Sequence, residues 1–391
     1  MRDRVDIKEI KHLLQDKIID LCMQLLPTGR REGSHWVSCN PVTNDQKHHP
    51  ALKISLENRP AVGAWQCFRS GDKGDVFGLI AYVNFHDVKD VSFSRQWAMD
   101  WLGIRRMNVD ERRELARRAS QTRVIHEQKS ASNRIKRIML ANKLWQKGRA
   151  FNVDCPARRH AFDYFAGRNI PIDRQNFNLD MNTFRFSNAT EYWKMAQYKT
   201  VDGKRRKIKP GPDFPAIHAA MRSPTGQLTA CHVTFLDPQR PQKVNLGKEF
   251  PSKMIIGEAN GSVIRLNHGK SGLPPEDDLC GQNLHAAEGI ETGLQLCHAL
   301  PDERLWAAGS LSNFANMPID MECCESLIIW RDNNIGNMTA RGQFDRAFEA
   351  LEMHSKPISV MNPPERDGVD DYNDLSKQSA RVFTRTRTRK E

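Results

Sequence analysis

Three short apolar runs in the last third of the chain each deliver carboxylates to a turn. Leu284-His285-Ala286-Ala287 leads into Glu288-Gly289, and Ser326-Leu327-Ile328-Ile329-Trp330 leads into Arg331-Asp332-Asn333-Asn334. Pro357-Ile358-Ser359-Val360 runs through Pro363 and Pro364 into Asp370-Asp371-Tyr372-Asn373-Asp374. Clustered carboxylates repel one another unless a cation neutralises them, and ligation by oxygen alone favours Mg²⁺ or Mn²⁺ over zinc. The chemistry expected at Glu288, Asp332 and Asp371 is therefore that of a divalent ion.

The elements around these turns must place them together. Ile290-Glu291-Thr292-Gly293-Leu294-Gln295-Leu296 has helical apolar spacing, a long amphipathic segment runs from Gly336 to His354, and Arg304-Leu305-Trp306-Ala307-Ala308 is a further strand candidate. Short apolar runs alternating with helix-length segments predict a doubly wound parallel sheet. Ligands gather at the carboxyl ends of such strands, where all three acidic turns fall.

Ala287-Glu288-Gly289, Asp332-Asn333-Asn334 and Asp371-Tyr372-Asn373-Asp374 resemble the three motifs of the Toprim domain, shared by DnaG-type primases, topoisomerases and some nucleases. The resemblance spans residues 276–378. It implies acid/base or metal chemistry at Glu288, principal metal ligands in Asp332 and Asp371, secondary ones in Asn334 and Asp374, and close approach of phosphates at Gly289. The family carries a second aspartate where this chain has Asn334, and an uncharged amide oxygen should hold a second metal more weakly.

The front of the chain, residues 1–104, predicts an amphipathic docking helix over residues 5–26 and then a small β domain. Trp36 to Pro41, Pro50 to Ile54 and Gly63 to Val76, the last containing Gly71-Asp72-Lys73-Gly74-Asp75, resemble the zinc-ribbon domain of DnaG-type primases. That family has four ligands, whereas here only Cys39 and Cys67 stand at ligand positions, with Val42 and Ser70 at two others. Tetrahedral zinc needs four good donors. A degenerate, metal-free ribbon is expected, with Trp36, Trp65, Phe68 and Phe77 supplying apolar area; Cys39, His49 and Cys67 would be the residual zinc ligands. Arg30, Arg31, Lys53, Arg69 and Lys73, interleaved with aromatic residues, offer phosphate contacts and stacking faces for single-stranded nucleic acid.

Residues 105–150 read as a basic helical connector, with a break expected at Ser130-Ala131-Ser132-Asn133. Residues 151–275 read as a mixed α/β subdomain in which Ser223-Pro224-Thr225-Gly226 predicts a hairpin turn. Thr234-Phe235-Leu236-Asp237 followed by lysines resembles the strand pair that precedes Toprim in primases of phages and mobile elements. By that analogy Arg222, Lys243, Lys248 and Lys253 line a groove beside the metals, holding template or nucleotide phosphates. Lys204-Arg205-Arg206-Lys207 with Lys209 reads as an exposed loop with template contact, and residues 379–391 as a basic disordered tail. Gly269-Lys270-Ser271 imitates the end of a P-loop but has Ile264 where that motif needs glycine, so no helicase motor is expected.

The 391 residues carry a net charge of +12, which points to a polyanionic partner. No apolar stretch reaches membrane-spanning length, and the nine scattered cysteines read as reduced thiols, so no membrane is expected and the setting is cytoplasmic. The fold class expected is α/β, α+β overall: ribbon-like β domain, helical connector, mixed subdomain and C-terminal parallel sheet. The resemblance implies a DNA primase of a phage or mobile element, a nucleotidyltransferase making RNA primers on single-stranded DNA from nucleoside triphosphates beside a separate replicative helicase. The alternatives are a noncatalytic replication adaptor that binds single-stranded DNA and a Toprim nuclease.

Overall fold

The computed structural model describes residues 6–42, 50–57, 61–68, 70–86, 91–104, 109–170, 172, 179–201, 204–247, 249–332, 337–363 and 372. The chain is mixed α/β and divides into two compact units, Met1–Asn133 and Arg134–Glu391.

In the first unit, helices α1 (Ile7–Asp16) and α2 (Ile18–Leu25) precede strands β1 (Arg30–Glu32), β2 (His35–Ser38), β3 (Leu52–Ser55), β4 (Trp65–Cys67) and β5 (Lys73–Gly74). These strands form one antiparallel sheet in sequence order, followed by α3 (Val76–Phe85) and α4 (Val91–Trp101). The single docking helix expected over residues 5–26 is instead two helices broken at Lys17, whose φ of −106° and ψ of 27° leave the helical region. Its apolar face docks inside its own unit: Ile10, Leu14, Ile18, Leu21 and Leu25 pack with Trp36, Ile54, Trp65 and Phe77 in one core. Asp75, the last residue of the Gly-Asp-Lys-Gly-Asp turn, caps α3 by accepting from Phe77 N and Gly78 N at 3.1 and 3.0 Å.

Helix α5 (Val109–Lys147) runs unbroken through Ser130-Ala131-Ser132-Asn133, contrary to expectation. Serine and asparagine cost only about 0.5 kcal/mol each inside a helix, and extending an existing helix is easier than restarting one.

The second unit is built on one ten-stranded sheet. Its elements are β6 (Arg149–Ala150), α6 (Pro156–Gly167), β7 (Phe184–Glu191), the strands β8 (Gln197–Val201) and β9 (Lys204–Lys209) of a separate two-stranded sheet, β10 (Asp213–Arg222), β11 (Leu228–Phe235), β12 (Lys253–Gly257) and β13 (Val263–His268). There follow β14 (Gln282–Ala287), α7 (Ile290–Ala299), β15 (Arg304–Ala307), α8 (Leu311–Phe314), β16 (Cys324–Trp330), α9 (Met338–Glu352) and β17 (Ile358–Met361). The main path runs β12-β11-β10-β13-β15-β14-β16-β17. Strands β15, β14, β16 and β17 are parallel, and the rest of the path is antiparallel. Pairing of β13 with β15 makes the two halves one continuous sheet. The Ser223-Pro224-Thr225-Gly226 turn forms the hairpin of β10 and β11, with Gly226 N donating to Ser223 O at 3.0 Å. Residues of α6 and α7 pack on one face of the sheet, and residues of α8 and α9 on the other.

Candidate active site

Parallel pairing brings two of the acidic turns to one end of the sheet. Ala287 lies opposite both Ala307 and Trp330. The register continues past the strands, because Ala308 N donates to Ala287 O and Gly309 N to Glu288 O, each at 2.9 Å. Gly309 holds φ at +80°, a conformation that glycine adopts without strain, and this lets the chain turn away beside Glu288. Glu288, Gly289, Gly309 and Asp332 then line one cavity of about 160 Å³. Gly289 is the N-cap of α7 with an ordinary φ of −104°, and a Cβ there would stand 3.6 Å from Glu291 Oε2. What glycine provides at this point is space.

The lining is also rich in basic residues. Lys243, Lys253, Arg168 and His232 line the same cavity. Lys243 Nζ and Lys253 Nζ reach the two oxygens of Glu291 at 2.7 and 2.8 Å, and the Tyr164 hydroxyl donates to Oε1 at 2.6 Å. The Glu291 side chain is only 6% exposed. Burial opposes its ionisation, but the two ammonium groups outweigh burial and hold its carboxyl well below the usual range. Burial pushes Lys243 down to about 8 against the pull of Glu291. For Lys253 burial is outweighed by Glu291, and its pKa rises. His232, pushed down to about 3 by burial and then by the nearby lysines, is neutral, and its Nδ1 meets no hydrogen-bond partner among the described residues. Three carboxylates (Glu288, Glu291 and Asp332), two lysines, an arginine and a neutral imidazole thus share this cavity.

Of the expected site residues, Glu288, Gly289, Asp332, Lys243 and Lys253 come together here. Arg222 does not. Ile217, Ala219 and Met221 of β10 face the core under α6 and α7, so alternation turns Arg222 to the other face with Ala220. There it lines a separate cavity of about 580 Å³ with Arg265, Asp180 and Glu276. Asn334, Asp371, Asp374, Lys248, Arg69, His49 and the 379–391 tail lie outside the described residues. Tyr372, next to Asp371 in the chain, packs its ring on Trp330 with centroids 4.8 Å apart. Trp330 is two residues before Asp332, and its Nε1 donates to His285 Nδ1 of β14 at 2.9 Å. Tyr372, the one described residue of the third motif, is therefore held at the strand end that carries the second.

Glu291, Arg168, Tyr164 and His232 were not singled out in the sequence. An acidic residue in the first turn of a helix is favoured anyway by the helix dipole, so Glu291 carried no separate signal. Arg168 follows the Gly167 that ends α6, and its partners come from distant segments.

In the first unit, Arg30 pairs with Glu32 and Arg31 with Glu57, both at 2.7 Å on the surface, and Lys73 is exposed. Trp36, Trp65 and Phe77 are core, but Phe68 is 64% exposed with Lys53 Nζ 5.6 Å from its ring centre. Phe68 is thus the exposed aromatic of this set. Zinc fits poorly. Val42 packs against the core, Ser70 offers only a hydroxyl, and the buried Cys67 Sγ accepts from Asn40 Nδ2 at 3.4 Å. The same amide donates to Tyr82 Oη at 2.7 Å, and Tyr82 donates to Asp72 at 3.2 Å, so side-chain hydrogen bonds tie the loops together. Among the described residues no group of three His, Cys, Asp or Glu could hold a metal, and no helix is long and apolar enough to cross a membrane.

Residues 135–266 match a domain of unknown function, DUF7146, and residues 283–381 match the Toprim domain. No curated protein matches the chain. Among solved structures it is similar to the zinc-binding and RNA polymerase domains of the Aquifex aeolicus primase, at 14% identity over 96% of this chain and 85% of that one, with a TM-score of 0.39. It is similar also to a DnaG primase catalytic domain bound to single-stranded DNA, at 14% identity over 66% and 80% of the two chains and a TM-score of 0.40. With the primase fragment of the bacteriophage T7 primase-helicase it shares 14% identity over 49% and 67%, at a TM-score of 0.29. The acidic turns of Glu288 and Asp332 both fall within the stretch that matches the Toprim domain.

Proposed function

We propose that this chain is a DnaG-type primase of a phage or mobile element, joining nucleoside triphosphates into short RNA primers on single-stranded DNA. The observation that carries this reading is the mixed lining of one cavity: Glu288 and Asp332, from the ends of two parallel strands, share about 160 Å³ with Lys243 and Lys253. A nucleotidyl transferase needs both kinds of group, carboxylates for a divalent cation and cations for the charge of the phosphates.

Glu288 and Asp332 would hold Mg²⁺ or Mn²⁺, with Asp371, Asp374 and Asn334 as the further ligands the motifs imply. When bound, the ion supplies Lewis acidity at the phosphorus under attack and offsets the charge of the departing pyrophosphate. Lys243, Lys253 and Arg168 hold the phosphate oxygens, and Glu291 aims both ammonium groups into the cavity. Glu288 carries a carboxylate oxygen able to take the proton of the attacking 3′-hydroxyl. Phe68, Lys53 and Lys73 offer the template a stacking face and phosphate contacts.

The test is primer synthesis from labelled ribonucleotides on mixed single-stranded templates, with Mg²⁺ or Mn²⁺, comparing the native chain with Asp332→Ala. Short products lost in the variant support the reading. Absence of product with DNA binding retained would replace it with the adaptor, and metal-dependent cutting of the template would replace it with a nuclease.

A further inference from the structure

Strands β8 and β9 form a ribbon that, among the described residues, pairs only with itself. The charged run read as a loop in the sequence is therefore one strand of a hairpin. Residues 194–209 contain seven lysines and arginines against the single acid Asp202. The described side chains at 197–200 and 206–209 are exposed. The register sets Lys199 opposite Arg206 and Tyr198 opposite Lys207. Like charges placed directly across a strand pair are destabilising, and a two-stranded ribbon is only marginally stable by itself.

The base of the ribbon is nevertheless fixed. Lys207 Nζ reaches both oxygens of Glu191 in β7 at 2.7 and 2.8 Å, and the same carboxylate accepts from Gly211 N at 3.0 Å. Tyr192 is fully buried, and its hydroxyl donates to Pro251 O at 2.9 Å, two residues before Lys253. Gly211 packs so closely that a Cβ would stand 2.1 Å from Tyr192 O. Lys207 is thus neutralised on the anchoring face. By strand alternation Lys199 and Arg206 occupy the other face, and neither has an ion pair among the described residues.

The base also adjoins basic residues of the cavity lining. Beyond Gly211 the chain enters β10, where Pro215 O accepts from Leu236 N, and Leu236 bridges to Lys243. The ribbon's base is thus joined to the segments that carry Lys243 and Lys253.

We propose that the β8–β9 ribbon grips the sugar-phosphate backbones of a nucleic-acid duplex beside the cavity. Two unneutralised cations set across a strand pair lower the stability of the free ribbon, and a polyanion removes that repulsion. A duplex fits better than a single strand. Surfaces for single strands interleave cations with several stacking rings, whereas Tyr198, at the anchoring face, is the one aromatic of the ribbon. A two-stranded ribbon also has dimensions that a duplex groove admits.

The experiment is fluorescence anisotropy with the full chain and two probes, a labelled RNA–DNA hybrid and the same DNA strand alone, titrated over a range of salt. Lys199→Ala with Arg206→Ala should weaken hybrid binding roughly tenfold at physiological salt and lower the slope of log affinity against log salt by about 1.8, the value for two lost phosphate contacts. Binding of the single strand should stay unchanged. The double variant should melt no lower than the native chain, because it removes a repulsion, and Lys199→Gln with Arg206→Gln should repeat the result. Unchanged hybrid affinity and slope would overturn the grip, and an equal loss on the single strand would overturn its assignment to a duplex. No turnover is involved, so this surface and the primer-synthesis reading can fail separately.

Discussion

Glu291 balances two lysines that without it would be buried beside each other. Removing one partner from such a cluster strands charge in a poorly solvated place. Glu291→Gln should therefore lower unfolding stability by about 3 kcal/mol, read from denaturant midpoints. Adding Lys253→Met should recover part of the loss, since it removes one of the stranded charges; a strictly additive double variant would show that the pair is not coupled. Lys243 provides a second test. Its pKa is depressed from 10.5 to about 8, so the ammonium is present below that value and lost as pH rises through it. Tripolyphosphate binding by calorimetry should weaken from pH about 7 to pH about 9, whereas an ordinary lysine would stay charged throughout. A flat profile would remove Lys243 from the groups that hold phosphate. The linkage to folding has the opposite sense: between about 8 and 10.5 the unfolded chain binds the extra proton, so this group makes stability rise with pH there.

Among the elements, the ends of β14 and β16 carry the acidic turns of Glu288 and Asp332, and Tyr372 is tethered beside the second. Its ring lies on Trp330, which is itself held by His285. Tyr372→Ala should weaken Mn²⁺ binding about tenfold, the usual cost of losing a residue that supports metal ligands, while Tyr372→Phe keeps it. Titration followed by electron paramagnetic resonance measures this directly, and equal affinities in all three chains would refute the tether. The strand ends were legible because each is a short apolar run stopped by a turn rich in glycine, asparagine or aspartate, as at Ala287-Glu288-Gly289. The hairpin of β10 and β11 was legible for a similar reason, through Ser223-Pro224-Thr225-Gly226. The β8–β9 ribbon was not, because Lys204 to Lys207 show no alternation of apolar and polar residues, and only tertiary anchoring at Glu191 and Tyr192 holds such a strand pair. Lys17 broke a helix whose apolar spacing read as continuous, and the Ser-Ala-Ser-Asn stretch did not break the next one. Local propensities of a few tenths of a kcal/mol are too small to settle either position.

Across the whole molecule the two units differ in what their polar groups ask of a metal. The second gathers carboxylates of the kind that hold a divalent cation, and the first closes its sheet with Trp36, Trp65 and Phe77 in the core and the Asn40-Tyr82-Asp72 hydrogen bonds at its loops. A small domain that folds around zinc loses its structure when the metal is removed, because the binding free energy is its folding free energy. The first unit has instead a core that continues into α1, α2, α3 and α4, and its folding should not respond to a chelator. Treatment with EDTA should therefore abolish primer synthesis, with recovery on adding Mg²⁺, yet leave amide hydrogen exchange across β2, β3 and β4 as slow as before. Exchange that quickens in those strands under EDTA and is restored by zinc would show that Cys39 and Cys67 do hold a metal, and that the hydrogen bonds of Asn40 are not enough to close the fold.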